Sequence, residues 1–203
     1  DLYDCLKEKI EYQNKKIDGN NGLNIHEKKS SIRIGIIGRP NTGKSTLINK
    51  IIGQKRLVTG VEAGITRDAI EVLWNYNNEL ISIIDTAGLR KKAKVINILE
   101  KDMVNDTLRT IKYSDICILL IDASKGIDKQ DLTIARMIIG EGRGLIIGAN
   151  MWDEVLDKNI IKDEIINKLK ISLSQIKKIS IVFISGLQNQ GIEKLFEMVL
   201  DIK

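Results

Sequence analysis

The octapeptide Gly38-Arg39-Pro40-Asn41-Thr42-Gly43-Lys44-Ser45 carries the densest chemistry in the chain. It follows the apolar run Ile34-Gly35-Ile36-Ile37 and leads through Thr46 into Leu47-Ile48. A strand that enters a glycine-rich loop and then a helix sets successive backbone N–H groups on a concave surface, at the positive end of a helix dipole. Such a cradle suits phosphate oxygens. Lys44 has the reach for β- and γ-phosphates, and the Ser45 hydroxyl can ligate magnesium. The spacing points to a nucleoside triphosphate held by Gly38, Arg39, Pro40, Asn41, Thr42, Gly43, Lys44, Ser45 and Thr46. An ordinary glycine turn with a solvated lysine would share the string, but the strand before it and the helix after it favour phosphate.

Four further sets of residues extend this chemistry. Asp85-Thr86-Ala87-Gly88 follows the β-run Ile81-Ser82-Ile83-Ile84. An acidic strand end beside a phosphate loop suits magnesium, and a flexible Gly88 lets its N–H approach a γ-phosphate and withdraw. Thr66, within Ala63–Asp68, can ligate magnesium by its hydroxyl and hold the γ-phosphate by its N–H, ordered by the triphosphate. Read in isolation, that segment is a plain turn. Asn150-Met151-Trp152-Asp153 ends another β-run. A carboxylate at Asp153 accepts from N1–H and the exocyclic amine of guanine, whereas adenine would leave it without partners. Ser185-Gly186-Leu187 can offer a backbone N–H to the guanine O6.

The elements that must position these groups alternate along the chain. Strands are expected at Arg33–Ile37, Ala69–Tyr76, Leu80–Asp85, Ile116–Asp122, Leu145–Asn150 and Ile181–Ser185. Asn77-Asn78 reads as a hairpin turn, making the second and third strands antiparallel. Helical periodicity covers Lys44–Ile52, about Ile96–Ile111, Asp131–Gly140, Lys162–Leu173 and Gly191–Ile202. The expected fold is α/β, a six-stranded, mostly parallel sheet with one antiparallel hairpin strand and helices on both faces. Each of the motifs at a strand end lies at a carboxyl end, where such sheets bind ligands.

Composition narrows the function classes. The chain has 203 residues, of which 43% are hydrophobic and 29% charged, the balance of a globular protein with a sizeable core. Aromatics make up only 4%, so the core must come from isoleucine, leucine and valine, which suits a buried parallel sheet. A single histidine, His26, argues against histidine triads and zinc chemistry, and Cys5 and Cys117 lack metal-ligand spacing. Cys117 reads as a core thiol in a reducing, cytoplasmic setting. No apolar run reaches the length of a membrane span, and neither a membrane nor a DNA partner is expected. The net charge of +5 leans mildly toward a polyanionic partner.

The motifs, in this order and spacing, resemble translation-factor-related small GTPases, and most nearly the bacterial Der (EngA) family of ribosome-biogenesis GTPases. Members carry two tandem G domains and a C-terminal KH-like domain. The run Gly88-Leu89-Arg90-Lys91-Lys92-Ala93-Lys94-Val95 looks like the basic second switch of the second G domain. Leu2, Leu6 and Ile10 lie at helical spacing and would close the first G domain. Residues 1–13 are thus expected to be its last helix, 14–31 a linker, and 32–203 a complete GTP-binding domain. A KH-like domain would follow outside this chain. A helix folded back onto the same domain is the alternative for residues 1–13.

The resemblance implies a GTP- and GDP-binding switch that hydrolyses GTP with magnesium on Ser45, Thr66 and Asp85. It acts in assembly of the large ribosomal subunit, with the ribosome or its RNA and the missing domains as partners. Lys44, Thr66, Gly88 and Asn41 would carry catalysis. Leu89 stands where Ras-like proteins place a water-orienting glutamine, which implies slow intrinsic hydrolysis. Similar GTPases hold a potassium ion partly through the asparagine equivalent to Asn41; a turn-stabilising role is its alternative. The run Arg90–Lys94 is either a solvated face or a nucleotide-gated RNA contact. Two positions depart from the family: Met151 replaces a lysine, which implies weaker nucleotide affinity, and Ile65 replaces a threonine. The competing functions are a tRNA-modification GTPase domain and a guanine-nucleotide binding module with little hydrolysis.

Overall fold

The computed structural model describes residues 31–53, 72–84, 100–176 and 179–202. Six strands form one sheet: β1 (Ile32–Ile37), β2 (Val72–Tyr76), β3 (Glu79–Ile84), β4 (Ile116–Asp122), β5 (Gly144–Asn150) and β6 (Ser180–Phe183). The helices are α1 (Lys44–Ile52), α2 (Glu100–Tyr113), α3 (Lys129–Gly140), α4 (Lys158–Ser172) and α5 (Ile192–Ile202). The strand order is β2-β3-β1-β4-β5-β6, and only β2 with β3 is antiparallel. The α/β class, the single antiparallel hairpin and the helical cover are therefore as expected.

Side-chain alternation explains the layers. Along β4, Ile116, Ile118 and Leu120 join one core, and Cys117, Leu119 and Ile121 join the other. The first core lies under α1 and α5, through Leu47, Ile48, Ile51, Leu195, Phe196 and Val199. The second lies under α2, α3 and α4, through Ile111, Ala135, Ile138, Ile165 and Leu169. A central parallel strand covered on both faces must read as one continuous apolar run, and this one does. Three aromatics cluster at the hairpin edge, where Trp74 meets Phe196 edge-on with ring centroids 4.2 Å apart and Tyr76 packs beside both. Asn77 and Asn78 both adopt positive φ, 51° and 64°, the signature of a type I′ turn.

Element boundaries moved for local reasons. α3 begins at Lys129 rather than Asp131, because Asp128 and Asp131 form a reciprocal capping box. α4 begins at Lys158 rather than Lys162. Its apolar positions mislead, since Ile160 and Ile171 are exposed and blur the buried stripe of Ile165 and Leu169. β6 ends at Phe183 rather than Ser185, and Ser185 instead pairs with Gln190 in an isolated bridge. The expected helix and linker in residues 1–30, the start of the second strand at Ala69, and Asp85 lie outside the described residues.

Candidate functional site

The carboxyl ends of β1, β4, β5 and β6 bring three of the predicted segments together: the loop 38–45, the turn 150–153 and the turn 185–187. Thr66, Asp85, Thr86, Ala87 and Gly88 fall outside the described residues, as do Leu89 and the basic run Arg90–Lys94.

The loop leaves β1 pressed against β4. A Cβ at Gly38 would stand 2.3 Å from the Leu120 carbonyl oxygen, so only glycine lets the two backbones approach this closely. Inside the loop, the Thr42 hydroxyl donates to the Arg39 carbonyl at 2.9 Å. The Lys44 ammonium donates to the Gly38 and Arg39 carbonyls at 2.7 and 2.5 Å. Lys44 therefore folds back across the loop, and its charge stands where polyphosphate would enter. Asn41 is exposed and sits at φ 64°, a left-handed conformation that asparagine tolerates better than most residues.

α1 starts with an open N-terminus. Its cap, Gly43, supplies no side-chain acceptor, and no acidic residue occupies the first turn. The first N–H groups of a helix have no intrahelical partner, so an anion is the natural complement here. Ser45 and Thr46 are exposed in this first turn. The Ser45 hydroxyl is a hard-oxygen donor of the kind that suits magnesium, and Thr66 and Asp85, the other two expected donors, would add two more.

Asn150 joins the loop to the rest of the site. It is 3% exposed, its Nδ2 donates to the Thr42 carbonyl at 2.9 Å, and its Oδ1 accepts from Gly186 N–H at 2.9 Å. One amide thus ties together the loop after β1, the end of β5 and the turn after β6. A Cβ on Gly43 would come within 2.2 Å of the same Nδ2, which explains a glycine at φ 86°. The turn that follows is anchored by Trp152, buried against Phe183 with ring centroids 4.3 Å apart, its backbone N–H donating to the Ile184 carbonyl at 3.1 Å. Met151, at φ 60°, and Asp153 flank that anchor and are half-buried. The Ser185 and Gly186 N–H groups both have partners within the chain, Gln190 and Asn150. An N–H offered from this turn to a ligand would have to come from the exposed Leu187, or from Gly186 sharing its hydrogen between two acceptors.

Sequence reasoning missed three carboxylates beside the loop. Asp122, at the end of β4, accepts from Ser124 N–H, the Ser124 hydroxyl and the Lys125 ammonium at 3.0, 2.6 and 2.7 Å. Burial pushes its carboxyl up, but these hydrogen bonds outweigh it and hold the group below the usual range. Asp128 and Asp131 receive the Arg39 guanidinium, at 2.9 Å from Nη1 and 2.8 Å from Nε. Arg39 was expected among the phosphate contacts, and with its side chain turned to α3 its contribution there is left to the backbone. The Asp-x-x-Asp spacing at a helix start was the available signal, since it is the pattern of a capping box.

The model of a family described as "50S ribosome-binding GTPase" matches residues 33–151. Among curated proteins, the chain is 46% identical to a GTPase Der of Brucella abortus over 169 residues, 83% of this chain and 35% of that protein. It is 44% identical to the GTPase Der of Bartonella henselae over 176 residues, 87% of this chain and 37% of that protein. The chain thus spans about a third of the length of the curated relatives it matches. Among solved structures, it resembles Era in complex with MgGDPNP and nucleotides of 16S ribosomal RNA, with TM-score 0.63 and 25% identity over 84% of this chain and 56% of that one. It shares its fold with the translation elongation factor SelB of Methanococcus maripaludis, with TM-score 0.63 and 19% identity over 87% of this chain and 34% of that one. Among the described residues, no helix is long and apolar enough to cross a membrane.

Proposed function

This chain belongs to the 50S ribosome-binding GTPase family, and from that premise we propose that it is the GTP-binding and GTP-hydrolysing domain of a switch protein acting in the cytoplasm on large-subunit ribosome assembly. The observation that carries the reading is Asn150, which holds the phosphate loop and the 185–187 turn in one frame with Asp153 three residues along the chain. Phosphate recognition and base recognition are then mechanically one site. The Brucella and Bartonella relatives named GTPase Der, and the RNA in the Era complex, support the ribosomal role. In this reading residues 1–13 close a preceding G domain, 14–31 form a tether, and a KH-like domain follows in the whole protein.

The loop N–H groups and Lys44 hold the polyphosphate, and Lys44 neutralises charge that develops between the β- and γ-oxygens during transfer. Ser45, Thr66 and Asp85 would hold magnesium, which supplies further charge neutralisation at the β- and γ-phosphates. Thr66 and Gly88 would present N–H groups to the γ-phosphate, so that both segments relax when it departs. Asp153 accepts from guanine N1–H and N2–H2, and the 185–187 turn offers a backbone N–H to the guanine O6. Leu89 carries no group to orient water, and a monovalent cation held partly by the exposed Asn41 would supply the missing charge. The basic run Arg90–Lys94 rides on the element that responds to the γ-phosphate and offers an RNA contact gated by nucleotide.

Titration calorimetry with GTP and ATP tests base selection directly. GTP should bind at least about 100-fold tighter, because adenine leaves the Asp153 carboxylate without donors. Equal affinities would remove the guanine reading. Single-turnover hydrolysis in potassium and in sodium, with Asn41→Ala alongside, tests the cation. A rate that is the same in both salts would remove it. Turnover that stays negligible in either salt would favour a binding module, the reading that Leu89 and Met151 also support.

A further inference from the structure

Arg39 faces two ways. Its carbonyl lies inside the phosphate loop and accepts from Thr42 and Lys44, while its guanidinium leaves the loop and grips α3. There Nε meets Asp131 Oδ1 at 2.8 Å and Nη1 meets Asp128 Oδ2 at 2.9 Å. Asp131 is fully buried, which is unusual for the third residue of a capping box at a protein surface. Its second oxygen accepts from Asp128 N–H at 3.0 Å, so both carboxylate oxygens are occupied. A carboxylate withdrawn from water in this way is tolerated only when it is paired and hydrogen-bonded, and removing the partner is far more costly than the pair is worth. The contact spans 92 residues of sequence and joins the loop after β1 to the helix after β4. It complements Asn150: α3 holds the first half of the loop, and Asn150 holds Thr42 in the second.

We infer that the Arg39–Asp131–Asp128 clasp is a positioning element for nucleotide binding, keeping the loop backbone at Arg39, and through its carbonyl the Thr42 end of the loop, in the phosphate-ready arrangement before nucleotide arrives. The inference rests on the nucleotide-binding reading of the loop. Because the clasp touches the part of the loop that serves the phosphates shared by GTP and GDP, it governs affinity for both alike and leaves the chemical step alone.

The test uses the full 203-residue chain with Asp131→Asn, which removes the buried charge at constant volume, and Asp128→Ser, which keeps a capping oxygen but loses the ion pair. Affinities for fluorescent GDP and a non-hydrolysable GTP analogue should fall together, on the order of 10-fold for Asp131→Asn and roughly 2- to 3-fold for Asp128→Ser. The single-turnover rate at saturating GTP should stay within about 2-fold of wild type. In an Arg39→Gln background, the Asp131→Asn change should have little left to remove. Folded variants with wild-type affinity, or an Asp131→Asn effect that persists in full without Arg39, would overturn the inference. Should Asp131→Asn not fold, the exposed Asp128 decides alone by the same two outcomes. Wild-type protein that binds neither nucleotide would remove the functional reading and this inference with it.

Discussion

Replacing Asn150 with alanine deletes two hydrogen bonds at once and leaves both partners behind. The Thr42 carbonyl and the Gly186 N–H belong to residues that are themselves buried, so water does not readily substitute. Each orphaned buried backbone group costs about 1–3 kcal/mol, and the variant should lose roughly 2–4 kcal/mol if the space relaxes in part. In a domain of this size that corresponds to a fall in melting temperature of roughly 5–15 °C. The loss should appear without nucleotide, since both bonds close within the chain. Thermal and urea unfolding of the nucleotide-free protein measure it, and the same samples should bind GTP more weakly because the loop and the base-side turn no longer share a frame. Asn150→Asp sharpens the comparison. It keeps the acceptor for Gly186 but turns a carboxylate oxygen toward the Thr42 carbonyl, and should be no more stable than alanine. A melting temperature for Asn150→Ala within about 2 °C of wild type, or a loss seen only with nucleotide bound, would refute the brace.

Gly43→Ala should cost roughly 2–5 kcal/mol and abolish tight nucleotide binding, because a Cβ meets Asn150 Nδ2 at 2.2 Å on top of a left-handed backbone. Gly126→Ala, left-handed in open space at φ 71°, should cost only about 1–2 kcal/mol, and chemical denaturation separates the two. The Arg33 guanidinium, donating to Asp115 at 2.7 and 3.2 Å, holds that carboxyl below its usual range against a smaller upward push from burial. A depressed folded value stabilises above the unfolded pKa of about 3.9 and is lost as pH falls through the folded value. The stability gap between wild type and Asp115→Asn should therefore be flat at neutral pH, at most about 1 kcal/mol for so exposed a pair, and close below about pH 4. Met151→Lys should tighten nucleotide binding by up to about 10-fold through a charge near the phosphate loop, and calorimetry showing no gain would count against it.

Local pattern carried most of the fold because the central strands are covered on both faces and cannot be mistaken for amphipathic helices. β4 was read to its boundaries for that reason, and the hairpin from two asparagines that accept positive φ. The start of α4 was read at Lys162 rather than Lys158, since exposed Ile160 and Ile171 blur the buried stripe of Ile165 and Leu169. The segments of the site were visible as strings at strand ends, yet their division of labour was not. Asn150 was visible as the end of a strand and also braces the loop to the 185–187 turn; Arg39 was placed in the phosphate loop, and its side chain also reaches α3. Arg39 meets Asp131 across 92 residues, and Asn150 meets Thr42 and Gly186 across 108 and 36, and no local periodicity encodes which polar groups will meet.

By itself the sequence determined the α/β class and the strand–loop–helix order around residues 38–45, since these follow from spacing, periodicity and turn chemistry. Only the tertiary structure decided the strand order β2-β3-β1-β4-β5-β6, the amide that links the loop to the 185–187 turn, and the buried carboxylate that anchors Arg39. Those depend on contacts between segments distant along the chain, and such contacts are selected by the packing of two cores against one sheet.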